Sequence, residues 1–194
     1  MGNNDYLKVA KECVRLANEI KSIKNRRPPY LAGLAGEFLV MQKLHDRGLK
    51  PKPMGAQSGY DIQLEDGKRV EVRTSQSKRE GVQAREKDVV DWGWRLKNRG
   101  KENKFDYVVC VALDERNIED SECYMLSADE VDRAPSTTLP RFKKVEKKLW
   151  IYRSREAMDD IRRKNPQYLS DWEIEINQNR SKYLLDNRLG DLVR

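Results

Sequence analysis

The segment from Ser58 to Ser75, SGYDIQLEDGKRVEVRTS, constrains this chain more than any other. Two runs that alternate apolar and polar residues flank Glu65-Asp66-Gly67, which is the sequence form of a β-hairpin. A two-residue loop at Asp66-Gly67 would set Glu71 opposite Ile62 and Val72 opposite Asp61, mixing charge with apolar side chains on each face. A three-residue loop over Glu65-Asp66-Gly67, with Gly67 in the left-handed conformation of a G1 bulge, sorts the residues. Tyr60, Ile62 and Leu64 then share a face with Val70 and Val72, while Asp61 lies opposite Glu71 and Gln63 opposite Arg69. A slip of one residue would invert every side chain, so the hydrophobic pattern selects the second register.

That register makes two carboxylates cross-strand neighbours. Like charges so placed cost about 0.2–1 kcal/mol on an exposed sheet. A divalent cation reverses the sign, since Mg²⁺ is commonly held by one or two carboxylates together with waters and phosphate oxygens. Asp61 followed by Glu71-Val72-Arg73 resembles the core of the PD-(D/E)xK nuclease superfamily, which includes many restriction endonucleases and archaeal Holliday-junction resolvases. Members often carry a further glutamate on a helix ahead of the hairpin, and the matching residue here is Glu37 in Leu34-Ala35-Gly36-Glu37-Phe38.

Nucleic acid also suits the charge. Lys and Arg outnumber Asp and Glu by 39 to 32 in 194 residues, a formal net charge of +7, and a basic balance favours an anionic partner. The bland alternative is a soluble basic protein with no such partner. The length fits one domain able to bury a core without disulfides. Cys13, Cys110 and Cys123 are odd in number and scattered, which reads as reduced thiols in a cytoplasmic protein. No apolar run is long enough to span a bilayer, and the first residues lack a signal peptide's apolar core, so no membrane partner is expected.

The single histidine, His45, removes several chemistries. No local signature supports a Ser-His-Asp or Cys-His system around it. The cysteines do not cluster for zinc, and no phosphate-cradling glycine motif is present. Carboxylate, lysine, arginine and metal remain for catalysis.

Along the chain, Tyr6, Val9, Cys13, Leu16, Ile20 and Ile23 recur at spacings of three and four, predicting an amphipathic helix from Asp5 to Lys24. Such a stripe packs on a core or, as the alternative, on a second copy in a homodimer. Pro28-Pro29 ends it, and a second helix is expected from Tyr30 to Arg47. Glu37 has Gly33, Leu34, Val40 and Met41 as its helical neighbours, so this acid sits on an apolar or small-residue face. Two readings stand: a structural salt bridge to an arginine such as Arg73, or a third acid beside Asp61 and Glu71.

Lys78 and Arg79 open a polar, charged stretch that reaches Lys104. Within it Trp92 and Trp94 stand beside Arg95, Lys97 and Arg99, and aromatics among cations can stack bases while neutralising phosphates. Equally, the tryptophans could cap the sheet above a solvated loop. Phe105 to Leu113, FDYVVCVAL, reads as a central strand buried on both faces. A strand from Glu122 to Leu126 leads to a short helix with Ser127 as N-cap, and Pro135 to Pro140 reads as a loop. Arg141, Lys143, Lys144, Lys147 and Lys148 form the densest basic cluster, either phosphate contacts or a solvated face, before a strand at Leu149 to Tyr152. The polar remainder is read as a helical C-terminal extension.

These elements predict one α/β domain over residues 1–194, with a mixed central β-sheet flanked by helices. The arrangement resembles the restriction-endonuclease-like fold across Tyr30 to Leu113. The resemblance implies that Asp61 and Glu71 hold Mg²⁺ or Mn²⁺, that the Val72 carbonyl completes the protein ligands, and that Glu37 assists directly or through water. It departs from the family in one residue, because the motif lysine is replaced by Arg73. Arginine can neutralise phosphate but is unfit as a general base; a lysine for that task would have to come from Lys78 or Lys68. The expected activity is metal-dependent DNA endonuclease cleavage of restriction or junction-resolving type. The alternatives are a nucleic-acid-binding protein that has lost the chemistry, or a subunit that needs a partner.

Overall fold

The computed structural model of the protein describes residues 5–24, 28–55, 59–76, 90–98, 104–139, 144–152, 155–164 and 169–193. Two helices come first, α1 (Tyr6–Lys24) and α2 (Pro29–Asp46). They are followed by the strands β1 (Lys52–Pro53), β2 (Ile62–Gln63), β3 (Arg69–Gln76), β4 (Val90–Asn98), β5 (Tyr107–Leu113) and β6 (Glu122–Ser127). After helix α3 (Ala128–Arg133) come β7 (Ser136–Leu139) and β8 (Lys144–Tyr152). The described chain closes with α4 (Arg155–Lys164), α5 (Asp171–Gln178), α6 (Arg180–Tyr183) and α7 (Leu185–Val193). Five strands form one sheet in the order β1-β2-β3-β5-β6, and three form a second in the order β4-β8-β7. Among the described residues only β3 and β5 pair in parallel, so the larger sheet is mixed, as the sequence predicts.

The hairpin takes the three-residue loop. Ile62 pairs with Val70 and Gln63 with Arg69, the Leu64 N–H donates to the Lys68 carbonyl at 2.9 Å, and Gly67 has a φ of 89°. Only glycine takes that backbone conformation without steric penalty. One residue departs from the expected sorting. Tyr60 packs with the core on the opposite face from Ile62, Leu64, Val70 and Val72. Gly59, at a φ of 79°, turns the chain just before it, so the alternation of β2 does not reach back to Tyr60.

Strand β5 splits its side chains between two cores, which is the reason for its continuous apolar run. Val109, Val111 and Leu113 pack with α1, α2 and α7, together with Ile62, Val70 and Val72. Val108, Cys110 and Ala112 pack with Trp94, Leu96, Leu149 and Ile151 of the second sheet. The C-terminal helices serve both cores rather than standing apart, since Leu185, Leu189 and Leu192 join the first and Ile176 and Tyr183 the second. All three cysteines are free and buried, and no described helix is long and apolar enough to cross a membrane.

Three expectations about elements need correction. The face that α1 buries is centred on Ala10, Cys13 and Ala17, and Val9, Leu16 and Ile23 stay exposed at 39%, 36% and 80%. Two alanines allow α1 to approach α2 closely, and that contact rotates the apolar stripe partly outward. Residues 90–98, read as part of a polar, charged stretch with no strand assigned, form β4, in which Trp94 and Leu96 alternate inward. The segment between Pro135 and Pro140 carries β7, because β8 supplies a partner for Thr137 and Thr138. The Ser127 N-cap is present as a full capping box with Glu130.

Helix α2 reaches β3 at one close point. A Cβ on Gly36 would overlap Thr74 Oγ1, and that buried hydroxyl oxygen has no hydrogen-bond partner. Gly36→Ala is therefore expected to lift the helix and destabilise the fold by about 1–3 kcal/mol. Denaturant unfolding measures the loss, and adding Thr74→Ala, which removes the obstructing atoms, should recover most of it.

Candidate active site

Three carboxylates from separate elements come within one another's electrostatic reach near the open end of the hairpin. Asp61 stands just before β2, Glu71 lies within β3, and Glu37 sits on α2 beside the Gly36 contact. Regular pairing of β2 with β3 stops one residue short of Asp61 and Glu71. Asp61 instead brackets Glu71: its N–H donates to the Val70 carbonyl at 3.0 Å, and its Oδ2 accepts from the Val72 N–H at 2.7 Å. A side chain thus does what a strand partner would otherwise do. Because N–H and C=O of one residue in an extended strand point to the same side, the Val72 carbonyl faces the edge that Asp61 occupies.

Glu71 is 8% exposed. Its Oε1 lies 2.6 Å from Arg73 Nη2, two residues along the same strand face. The other buried carboxylate among the described residues, Glu173, is accounted for by the Ser170 capping box at the start of α5. Glu71 has no such backbone role.

The electrostatics follow from burial. Desolvation pushes the Glu37 carboxyl up to about 7, and the Asp61 charge adds to it. Glu71 is also pushed up to about 7, by burial first and then by Asp61; Arg73 opposes the rise and Glu37 adds a smaller push. Burial raises Asp61 as well, against the Val72 hydrogen bond and the Arg73 charge, which both favour its ionised form. Glu37 and Glu71 both feel the Asp61 charge, so the three acids are electrostatically linked. Such a cluster of raised carboxyls is a recognised sign of a functional site.

As a donor set, Asp61, Glu71 and the Val72 carbonyl fit a hard cation such as Mg²⁺, which takes oxygen ligands and uses only one or two carboxylates. Among the described residues, no group of three or more His, Cys, Asp or Glu side chains is arranged to hold a metal ion. An open groove of about 580 Å³ lies at the turn end of the hairpin, bounded by Asp66, Lys68, Asp106 and Asp129, and does not include the three acids.

The expected nucleic-acid contacts fare unequally. Trp94 is 4% exposed in the second core, and its indole N–H donates to the Val111 carbonyl at 3.1 Å. It is a packing residue and not a stacking platform, because the alternation of β4 turns it toward the larger sheet. Trp92 is half-buried against the same core. Arg95 is exposed on β4, opposite Lys148 of β8. Lys144 opens β8 opposite Leu139, while Lys78, Arg79 and Lys143 lie outside the described residues. Arg69 looked like a plain polar-face residue; it clamps Asp106 through Nε at 3.1 Å and Nη2 at 2.8 Å, tying the start of β3 to β5. Its complement is 37 residues away, so no local pattern announces the pair.

No family model and no curated protein matches this chain. Among solved structures, a bacterial homing endonuclease is similar over 84% of this chain and 95% of that chain, at 13% identity and a TM-score of 0.45. At that identity and superposition no residue role passes from one chain to the other.

A carboxyl that keeps its proton in the folded chain but has lost it in the unfolded chain weakens folding as pH rises. For Glu37 the contribution is full below the ordinary value of 4.5 and falls away as pH climbs to about 7. Stability should therefore decline across that window and then level off. Read as urea midpoint against pH, Glu37→Gln should remove its share and make the decline shallower, the rest coming from Glu71 and Glu173, which burial also pushes up to about 7.

Proposed function

We propose that this chain is a metal-dependent endonuclease that hydrolyses DNA phosphodiester bonds at Glu37, Asp61, Glu71 and Arg73. The observation that carries the reading is the electrostatic linkage of three partly buried acids, two of them pushed to about 7, near the open end of the hairpin. Left without a cation, that arrangement is costly, because buried charges are rarely left uncompensated. Asp61, Glu71 and the Val72 carbonyl would hold Mg²⁺ or Mn²⁺. A cation bound there would lower the pKa of a water and stabilise charge on the phosphodiester.

The chain's own groups account for the rest. Asp61 is held in place by the Val72 N–H, so its free oxygen is oriented before any ligand arrives. Glu37 approaches from the helix side with a raised carboxyl, suited to accept a proton from a water near neutral pH. Arg73 brings a permanent positive charge to the position a phosphate would take. The net charge of +7 supplies long-range attraction for DNA. Restriction and junction-resolving substrates both fit this chemistry.

The 2.6 Å pair between Glu71 and Arg73 supports a second reading, a nucleic-acid-binding protein whose acids and arginine form a charge cluster without turnover. Incubation with duplex, single-stranded and branched DNA plus Mg²⁺ or Mn²⁺ separates the two. Cleavage is expected, is lost in Asp61→Asn and in Glu71→Gln, and falls about 10²-fold or more in Glu37→Gln. Cleavage that survives the first two substitutions would reject this site, and salt-sensitive binding without cleavage under either metal would select the second reading.

A further inference from the structure

We propose that Arg73 makes metal binding and phosphate binding at this site depend on each other, by competing with the metal for Glu71. The proposal rests on the nuclease reading and adds a positioning role to it.

Glu71 and Arg73 stand two apart on β3, so their side chains share one face. The carboxylate is almost wholly buried and the guanidinium is not: the Arg73 side chain is 47% exposed and the Glu71 side chain 11%. Their 2.6 Å contact compensates an acid that burial otherwise disfavours. Asp61 is differently secured, through a backbone N–H that a metal need not displace. Of the two carboxylates proposed as ligands, one is therefore held ready and the other is occupied by a cation of the protein itself.

A divalent ion seated between Asp61 and Glu71 would have to share Glu71 with Arg73 or drive it off. Driving it off leaves a half-exposed guanidinium beside the metal. A guanidinium presents five donors in a rigid fork that fits carboxylate and phosphate oxygens alike. A phosphodiester arriving at the acid pair offers that fork a second anion at little displacement. Arg73 then passes from Glu71 to phosphate, and Glu71 passes from Arg73 to the metal. Each ligand lowers the obstacle to the other, and thermodynamic linkage makes the effect equal in both directions. With the phosphate absent, the pair remains closed and the metal is held weakly.

The test measures binding and does not depend on turnover. Mn²⁺ affinity is read by electron paramagnetic resonance on DNA-free wild-type protein, Arg73→Gln, Arg73→Lys and Asp61→Asn. Duplex affinity is then read by fluorescence anisotropy with and without Mn²⁺ at constant ionic strength. Removing the competing charge in Arg73→Gln should tighten Mn²⁺ about 5–150-fold, the usual range of such coupling, and should abolish the gain in duplex affinity that Mn²⁺ gives the wild type. Arg73→Lys keeps a cation beside Glu71 and should stay near the wild type in Mn²⁺ affinity. Mn²⁺ binding that depends on Asp61 but is no tighter in Arg73→Gln overturns the coupling while leaving the metal site standing. Absence of any Asp61-dependent Mn²⁺ binding, in wild type and Arg73→Gln alike, overturns the metal-dependent reading and the coupling with it.

Discussion

The fold depends on strand β3, which pairs with β5 from Val70 to Gln76 and with β2 at Arg69 and Val70. Antiparallel β2 lies on one side of it and parallel β5 on the other. A parallel pair cannot be joined by a tight turn, so the chain must leave the sheet after Gln76 and return at Tyr107. That excursion contains β4, the strand of the second sheet that lies against β3 and β5. Val70, Val72 and Thr74 face α2, and Glu71 and Arg73 face the side of the second sheet. The topology that closes the core thus also decides which side chains meet at the hairpin's open end.

The site is electrostatically poised by the same packing. Burial raises Glu37, Asp61 and Glu71 together, and only Arg73 and the Val72 N–H act against it. A fold selected for stability alone would have little reason to gather three acids there, since apolar residues of similar volume often serve a core as well or better. Glu173 shows the contrast, because its burial is matched to an N-cap that the helix needs. Glu37 follows Gly36, the residue at which α2 packs against Thr74 of β3.

Much of this was legible residue by residue. The alternation around Glu65-Asp66-Gly67, together with a glycine able to take a positive φ, was enough to choose between two hairpin registers. The unbroken run of β5 announced burial on two faces, and Ser127 announced a helix start. Less was legible where apolar and charged residues mix. In β4 the inward row of Trp92, Trp94 and Leu96 is interleaved with Gly93, Arg95 and Lys97, so the period-2 signal competed with the look of a basic, aromatic surface. In α1 the stripe of larger apolar residues pointed to one face, but Ala10 and Ala17 gave α2 a closer approach.

The sequence by itself determined most of the local elements and the hairpin register, because period, turn chemistry and backbone conformation act over a few residues. Only the tertiary structure decided that β3 and β5 run parallel, that Trp94 is a core residue, and that Glu37 comes within the field of the other two acids. These outcomes depend on which distant surfaces fit against one another, and on the dielectric environment that their contact creates. No stretch of chain carries that information alone.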